Sequence, residues 1–301
     1  MVLELVKHML VLVAARLVEE QETRLWRFIT KFVDEARANA DYSQADAIGI
    51  DETSRKGYNY ITTFTDIAES RAIYVTEGKD LATVLRFRED FIVHGGKTEK
   101  VRVATSDMSQ RFLNGRREAF PNATQGIDKF HVVKNANEAV DKVRREEAKT
   151  TPCLKKTKYL WLRNRECLTP KQSEKLAGLS KIHFKTERAY AMKLSLQDIY
   201  EACVSWEDAE AAMKKLCFWL SHSRLAPMND FGKKLRAHMV EILNYFEFRY
   251  TNAMSKGGNN VIQNIQCRAR GFRAIKYFKT MIYLVMRKLD FGNIFGTFSF
   301  T

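Results

Sequence analysis

Two short apolar runs, each closed by an aspartate, constrain this chain more than any other feature. Ala47-Ile48-Gly49-Ile50 leads into Asp51, and Val101-Arg102-Val103-Ala104-Thr105-Ser106 leads into Asp107. A short apolar run that ends in a carboxylate reads as a buried strand delivering an acid to the end of a sheet, where paired acids can hold divalent metal. Aspartate at a strand end also starts turns, so each residue taken singly carries either meaning. The surrounding sequence decides between them.

The elements around these runs follow a definite order. Residues 1–41 read as two helices broken near 19–23, with Leu25, Trp26, Ile29 and Phe32 spaced to make one apolar face of the second. Strands are predicted over 47–51, 58–66 and 71–76, with turns at Gly57 and 66–70, then a helix over 81–93 stopped by Gly95-Gly96. A strand at 101–106, a helix at 110–119 and a short strand at 124–127 come next. Three consecutive strands followed by strands alternating with helices is the ribonuclease-H-like order. From about 130 to 250 the chain reads as helical, broken only at Pro152, Pro170 and Pro227. Thr251-Asn252 is predicted to cap a helix reaching Arg270 and ended by Gly271, and a last helix covers 275–289. The expected fold class is α/β, divided as a helical segment (1–43), a first part of the core (44–132), a helical insertion (133–250) and carboxy-terminal helices completing the core (251–301).

With 301 residues, 45% of them hydrophobic, the chain can bury one large core or two modest ones, which argues against disorder. Fifty basic residues against 36 acidic give a net charge of +14 and favour a polyanionic partner through phosphate contacts and counterion release. Five widely spaced cysteines (Cys153, Cys167, Cys203, Cys217, Cys267) form no CxxC pair, so neither a zinc ribbon nor a disulfide framework is expected. They read as small core residues in a reducing cytosol. Glu4, Lys7 and His8 interrupt the apolar start, which therefore reads as an amphipathic helix and not as a signal peptide or a membrane span.

Six separated motifs point further. They are Ile48-Gly49-Ile50-Asp51-Glu52-Thr53 running on to Tyr60, Ser106-Asp107-Met108-Ser109, Phe120-Pro121-Asn122-Ala123, Asp128-Lys129-Phe130-His131, Asn137-Glu138-Ala139 running on to Glu146, and Thr251-Asn252-Ala253 leading to Gly257 and Asn259. Together they resemble bacterial DDE transposases of the insertion-sequence ISL-three family, in order from about residue 10 to about residue 290. The resemblance implies a ribonuclease-H-like core with a large all-helical insertion and a short helical amino-terminal segment. It further implies metal-dependent phosphodiester cleavage and strand transfer, with Mg²⁺ or Mn²⁺ as cofactor. The implied partner is the double-stranded DNA of insertion-sequence terminal repeats, with assembly as a homo-oligomer, no membrane, and a bacterial cytoplasmic, nucleoid-associated location. Residues 1–41 resemble the tail of the family's helix-turn-helix region. The zinc-binding module usual further upstream is missing, so DNA-end recognition is expected to be incomplete or the chain to start internally.

In the resembled family two aspartates and a glutamate hold two metal ions about 3.5–4 Å apart, which activate water or a DNA hydroxyl. Asp51 and Asp107 match the two aspartates. Where the family has glutamate this chain has Lys256, in Thr251-Asn252-Ala253-Met254-Ser255-Lys256-Gly257-Gly258-Asn259-Asn260. An ammonium has donors only and cannot ligate a metal. Glu52, Glu241 and Glu247 are the acids that could substitute, and none falls at the expected helix position. Lys256, Asn259, Asn260 and Gln263 share one helix face, either a solvated stripe or a surface turned to the aspartates. Asp128 and His131, with Asn259 and Asn260, are expected as site neighbours, although a structural hydrogen bond is the plainer role for an Asp and His pair. Tyr58 replaces a family histidine. Arg268, Arg270 and Arg273, around Gly271, are expected to contact DNA. The runs 142–145 and 155–158 read as solvated faces, with Trp161 and Phe272 available for stacking and Trp206 and Trp219 as helix core. Two readings follow: a DNA transposase impaired at Lys256, or a catalytically dead relative that binds DNA or inhibits an active homologue.

Overall fold

The computed structural model describes residues 2–55, 59–180, 184–249, 253–269, 272 and 274–286; the side chains of residues 253–259, Arg55, Asn59, Arg165 and Ser180 stand outside that description. The chain opens with helices α1 (Val2–His8), α2 (Val11–Leu17) and α3 (Glu22–Ala38), followed by strands β1 (Ala47–Arg55), β2 (Asn59–Asp66) and β3 (Arg71–Glu77). Helix α4 (Leu81–Val93), β4 (Val103–Ser106), α5 (Gln110–Ala119) and β5 (Thr124–Ile127) come next. Then seven helices succeed one another: α6 (Lys129–Glu147), α7 (Lys158–Leu162), α8 (Pro170–Ser180), α9 (Lys185–Ala202), α10 (Trp206–Ser221), α11 (Ala226–Ala237) and α12 (Met239–Phe248). Helices α13 (Ala253–Arg268) and α14 (Ile275–Met286) close the described chain. Two compact units result, one of residues 1–125 and 251–301, the other of residues 126–250.

In the first unit the strands form one mixed sheet in the order β3-β2-β1-β4-β5. β1 to β3 make an antiparallel meander, and β4 joins β1 in parallel through Ala47↔Val103, Ile48↔Ala104 and Gly49↔Thr105. Side chains alternate between the faces of a strand, and both faces are covered. Ile48, Ile50, Phe64 and Ile73 enter a core with Val84, Phe87, Phe91, Phe112 and Phe120, on the side of α4 and α5. Ile61, Ala72 and Val75 point the other way, into a core shared with Leu25, Ile29, Phe32, Ile262, Ile265, Phe278 and Ile282. The apolar face read for α3 is therefore the buried one.

Helix α4 shows how local sequence sets these bounds. Asp80 accepts from the Thr83 backbone N–H (2.9 Å) while the Thr83 hydroxyl receives the Asp80 N–H (3.4 Å), a reciprocal cap. At the other end the Gly96 N–H reaches the Phe91 carbonyl (2.9 Å) and the Gly95 N–H the Ile92 carbonyl (3.0 Å), with Gly95 left-handed at φ +82°. Replacing Asp80 with alanine is expected to cost about 1 kcal/mol in urea unfolding. The Thr83 hydroxyl and then its backbone N–H lower the Asp80 pKa below its ordinary value. That contribution should be complete above the unfolded value of about 4 and fade as pH falls through the lowered folded value.

Edge strand β3 is not left open to pairing. The Val75 N–H donates to Tyr283 Oη on α14 (2.7 Å), and Tyr42 Oη donates to the Ile73 carbonyl (2.8 Å). Between them Arg37 ion-pairs with Asp90 and lies over the rings of Tyr74 (5.2 Å) and Tyr283 (5.3 Å).

Several expectations are corrected. The amino terminus forms two short helices before α3 instead of one. Buried positions step from Val6 to Val11, and five residues turn an α-helix about 140° away from its starting face, so an unbroken helix could not bury both sets. Leu10 takes an extended conformation at the break. β4 begins at Val103 and not at 101, because a short 3-10 turn (Thr98–Lys100) precedes it and the Arg102 N–H is already bonded to the Asp46 carbonyl (2.7 Å). Of the five cysteines only Cys217 is buried, and Cys153, Cys167 and Cys267 are exposed. Trp219 is 43% exposed and so is not core. Gly57, Thr251, Asn252, Gly271 and residues 287–289 of the last predicted helix lie outside the described residues.

Candidate functional site

Asp51 sits in the middle of β1, opposite Thr63 on β2. Residues paired across a sheet share a face, so Asp51 lies on the side of Ile61, Val75, α13 and α14, while Glu52 points to the opposite face. Glu52 therefore cannot join Asp51 in a ligand set. The parallel ladder ends at Gly49↔Thr105; Asp51 stands two residues further along β1, and Asp107 stands just past the end of β4 at Ser106. Neighbouring strands are about 4.8 Å apart, and a two-residue step restores the same face. Both acids therefore follow the same end of one parallel ladder, one within β1 and one in the turn after β4.

Their surroundings differ from the rest of that face, which is apolar. Asp51 is only 8% exposed, and Thr63, Thr65 and Thr105 are buried around it. Thr65 Oγ1 donates to the Gly49 carbonyl (3.2 Å), but the hydroxyls of Thr63 and Thr105 have no hydrogen-bond partner. Buried hydroxyls without partners cost free energy unless a water or an ion meets them. Asp107 is half-buried, and one of its oxygens accepts the Ser109 N–H (2.9 Å), which starts the turn into α5. The turn role read for a strand-following aspartate is therefore present at Asp107. Sequence reading overlooked the threonines. Their signal was the alternation in Thr63-Phe64-Thr65, which puts two hydroxyls on one face and an aromatic ring on the other.

Hard carboxylate oxygens beside unmatched hydroxyls fit a divalent cation at Asp51 and Asp107. A third ligand is not supplied by the described side chains: among the described residues no group of three or more His, Cys, Asp or Glu could hold a metal. Lys256 lies on α13, which packs against β1, and its side chain, like that of Asn259, is outside the described residues. Asn260 and Gln263 are exposed. Tyr58, Arg270 and Arg273 lie outside the described residues too. Arg268 is half-buried and donates to the Lys7 carbonyl (2.8 Å), so its guanidinium ties α13 to the end of α1 instead of standing free for DNA. Phe272 packs edge-on against Trp26 (6.3 Å) and stacks on Phe278 (5.1 Å), which removes it as a base-stacking ring.

Asp128 and His131 belong to the other unit. Asp128 is buried and accepts the Phe130 N–H (3.0 Å) as the N-cap of α6, and His131 is buried in the first turn with its ring edge-on to Phe130 (5.4 Å). Burial, and then the charge of Asp128, raise the pKa of the Tyr200 hydroxyl. In the run at 142–145, Arg144 is not on a solvated face: it is buried, pairs with Asp141 (2.6 Å) and donates to the Leu154 carbonyl (3.3 Å).

A family model described as a transposase, of the ISL3 DDE type, matches residues 48–282. The chain is 26% identical over 291 residues to the transposase for insertion sequence element IS1557 of Mycobacterium tuberculosis, covering 87% of this chain and 63% of that protein. It is also 26% identical over 278 residues to the transposase for insertion sequence element IS1001 of Bordetella parapertussis, covering 87% of this chain and 66% of that protein. The chain thus spans slightly less than two thirds of the length of these curated relatives. With the family match covering residues 48–282, including Asp51 inside β1, which runs to Arg55 and not only to 51 as the sequence suggested, together with Asp107 and α13, the chain belongs to the ISL3 family of DDE transposases.

Proposed function

We propose that this chain acts on double-stranded DNA at insertion-sequence terminal repeats through metal-dependent phosphodiester cleavage and strand transfer, and that Lys256 impairs the reaction in this copy. The observation that carries this reading is the parallel register of β1 and β4, which ends just before Asp51 and Asp107 beside a strand that α13 packs against, and so supports a shared site for the two acids. The strand order β3-β2-β1-β4-β5, with three antiparallel strands followed by a parallel one, supports a ribonuclease-H-like core. A divalent ion bound there, Mg²⁺ or Mn²⁺, would supply electrostatic stabilisation of the attacking and leaving oxygens. Asp51 and Asp107 would hold it, Thr63 and Thr105 would meet its water shell, and an ammonium at 256 would oppose it. The net charge of +14 suits DNA. A cytoplasmic, nucleoid-associated place and homo-oligomeric assembly belong to the same reading; no described helix is long and apolar enough to cross a membrane.

Lys256 favours a second reading, a DNA-binding relative without catalysis that inhibits an active transposase. Nicking of terminal-repeat DNA, measured beside binding to the same DNA, separates the two. Binding is expected to weaken by roughly 10³ to 10⁵ between 50 and 200 mM salt for about six to ten phosphates neutralised. A flat salt dependence would remove DNA contact from both readings. Nicking by the unmodified chain is expected at or near background, and vigorous metal-dependent nicking would show that another residue completes the ligand set.

A further inference from the structure

Residues 155–175 of the second unit carry seven basic residues against two acidic. The sequence predicts a solvated face with Trp161 as its aromatic; the structure exchanges the parts. Trp161 is buried, its Nε1–H bonded to Thr157 Oγ1 (3.1 Å) and its ring edge-on to Tyr190 (5.5 Å). Tyr159, two residues earlier on α7, is 63% exposed. Leu160 and Trp161 supply the buried face of that short helix, so the Tyr159 ring is not needed to pack it. Two cations flank the ring instead, Lys158 Nζ at 5.7 Å and the Arg163 guanidinium at 5.8 Å from its centre. Arg163 also donates to Gln172 Oε1 (3.4 Å) on α8, where Lys171 and Lys175 are exposed one turn apart. Lys155 and Lys156 are exposed just before α7, with Lys156 left-handed at φ +62° in the turn that presents them.

We propose that this corner of the helical unit binds single-stranded or locally unstacked DNA, with Lys155, Lys156, Lys158 and Arg163 on phosphates and one base stacked on Tyr159. An exposed aromatic ring set among mobile cations that a phosphate can draw aside matches the alternation of base and phosphate along an unpaired strand, and stacking accepts any base because every base has a π-face. A duplex offers the same phosphates but keeps its bases stacked inside, so the ring adds little there. An acidic peptide or lipid headgroup would use the charges and ignore the ring. The proposal rests on the DNA-binding reading above and adds to it the strand form bound and the residues that bind it.

The test measures binding of the full chain to a fluorescently labelled single-stranded oligonucleotide and to its duplex. Tyr159→Ala is expected to weaken single-strand binding by about 5- to 150-fold and duplex binding by less than about twofold. Tyr159→Phe keeps the stacking face and should bind within about twofold of the unmodified chain. The combined Lys155→Ala, Lys156→Ala and Lys158→Ala variant should lower the salt slope for single strands by about 2, near 0.7 for each phosphate no longer neutralised. Because all four side chains are exposed, thermal unfolding of these variants should match that of the unmodified chain. Single-strand affinity unchanged in Tyr159→Ala, or reduced equally in Tyr159→Phe, overturns the proposal. Steep, salt-dependent duplex binding alongside an inert Tyr159 overturns this surface alone, and failure to bind either form overturns the DNA-binding reading with it.

Discussion

Glutamate in place of Lys256 is expected to give this chain Mn²⁺-dependent nicking that a second substitution, Asp51→Ala, removes. The substitution takes away a cation and adds an oxygen ligand, a change of two charges where charge count sets metal affinity. At an effective dielectric of about 20, unit charges about 4 Å apart interact by about 4 kcal/mol, equivalent to about a thousandfold in a binding constant. An ammonium at ligand distance can therefore outweigh what one extra carboxylate would have contributed, and removing it should matter as much as adding the acid. Lys256→Gln separates the two effects: it removes the cation without supplying a charged oxygen, and should recover Mn²⁺ binding in calorimetry more than it recovers nicking. Helix α13 reaches β1 and is anchored by Ile262 and Ile265, so a residue early in that helix has a fixed frame from which to act. Lys256→Glu without gain in metal binding or nicking would put the inhibitor reading ahead.

The frame around Asp51 and Asp107 was largely legible because it is written in local chemistry. The apolar run closed by Asp51, the strand pattern over 58–66, the double glycine after Val93 and the short strand at 124–127 each act within a few residues, and β2, α4, α5 and β5 stand where those signals put them. Side-chain burial was less legible, because it depends on which face a helix turns to partners far along the chain. Trp161 and Tyr159 lie two residues apart on α7, about 200° around its axis, and distant partners such as Tyr190 decide which ring is enclosed. Arg116 makes the same point: nothing local marks it as fully buried, yet it donates to the Ala104 carbonyl of β4. Arg268 looked like part of a DNA-facing run and is committed to the Lys7 carbonyl, a partner 261 residues away. The pairing of Asp51 with Asp107 lay between these cases. Each run was readable, whereas the parallel register that joins their strands links positions 56 residues apart and has no local signal.

Replacing Phe87 with alanine should be among the most destabilising single changes in the first unit. Its fully buried ring stacks on Phe64 (4.1 Å) and lies within 5.8 Å of Tyr74, 5.6 Å of Phe91 and 6.0 Å of Phe120, so truncation empties the middle of an aromatic cluster. Large-to-small changes of this kind cost about 3–5 kcal/mol, the forfeited transfer energy plus the cavity that rigid neighbours cannot fill. Phe64 is the cross-strand partner of Ile50, the residue before Asp51, so the cluster bears on the strand that carries the acid. Hydrogen exchange read by mass spectrometry should show amides of β1 and β2 losing protection by about two to four orders of magnitude where they exchange through global opening of this unit, as about 3–5 kcal/mol requires. Phe87→Leu, which keeps most of the apolar volume, should recover much of that protection. A loss under about 1 kcal/mol for Phe87→Ala would mean that α4 can settle onto the sheet without the ring, and that this face is not the close-packed support that Asp51 needs.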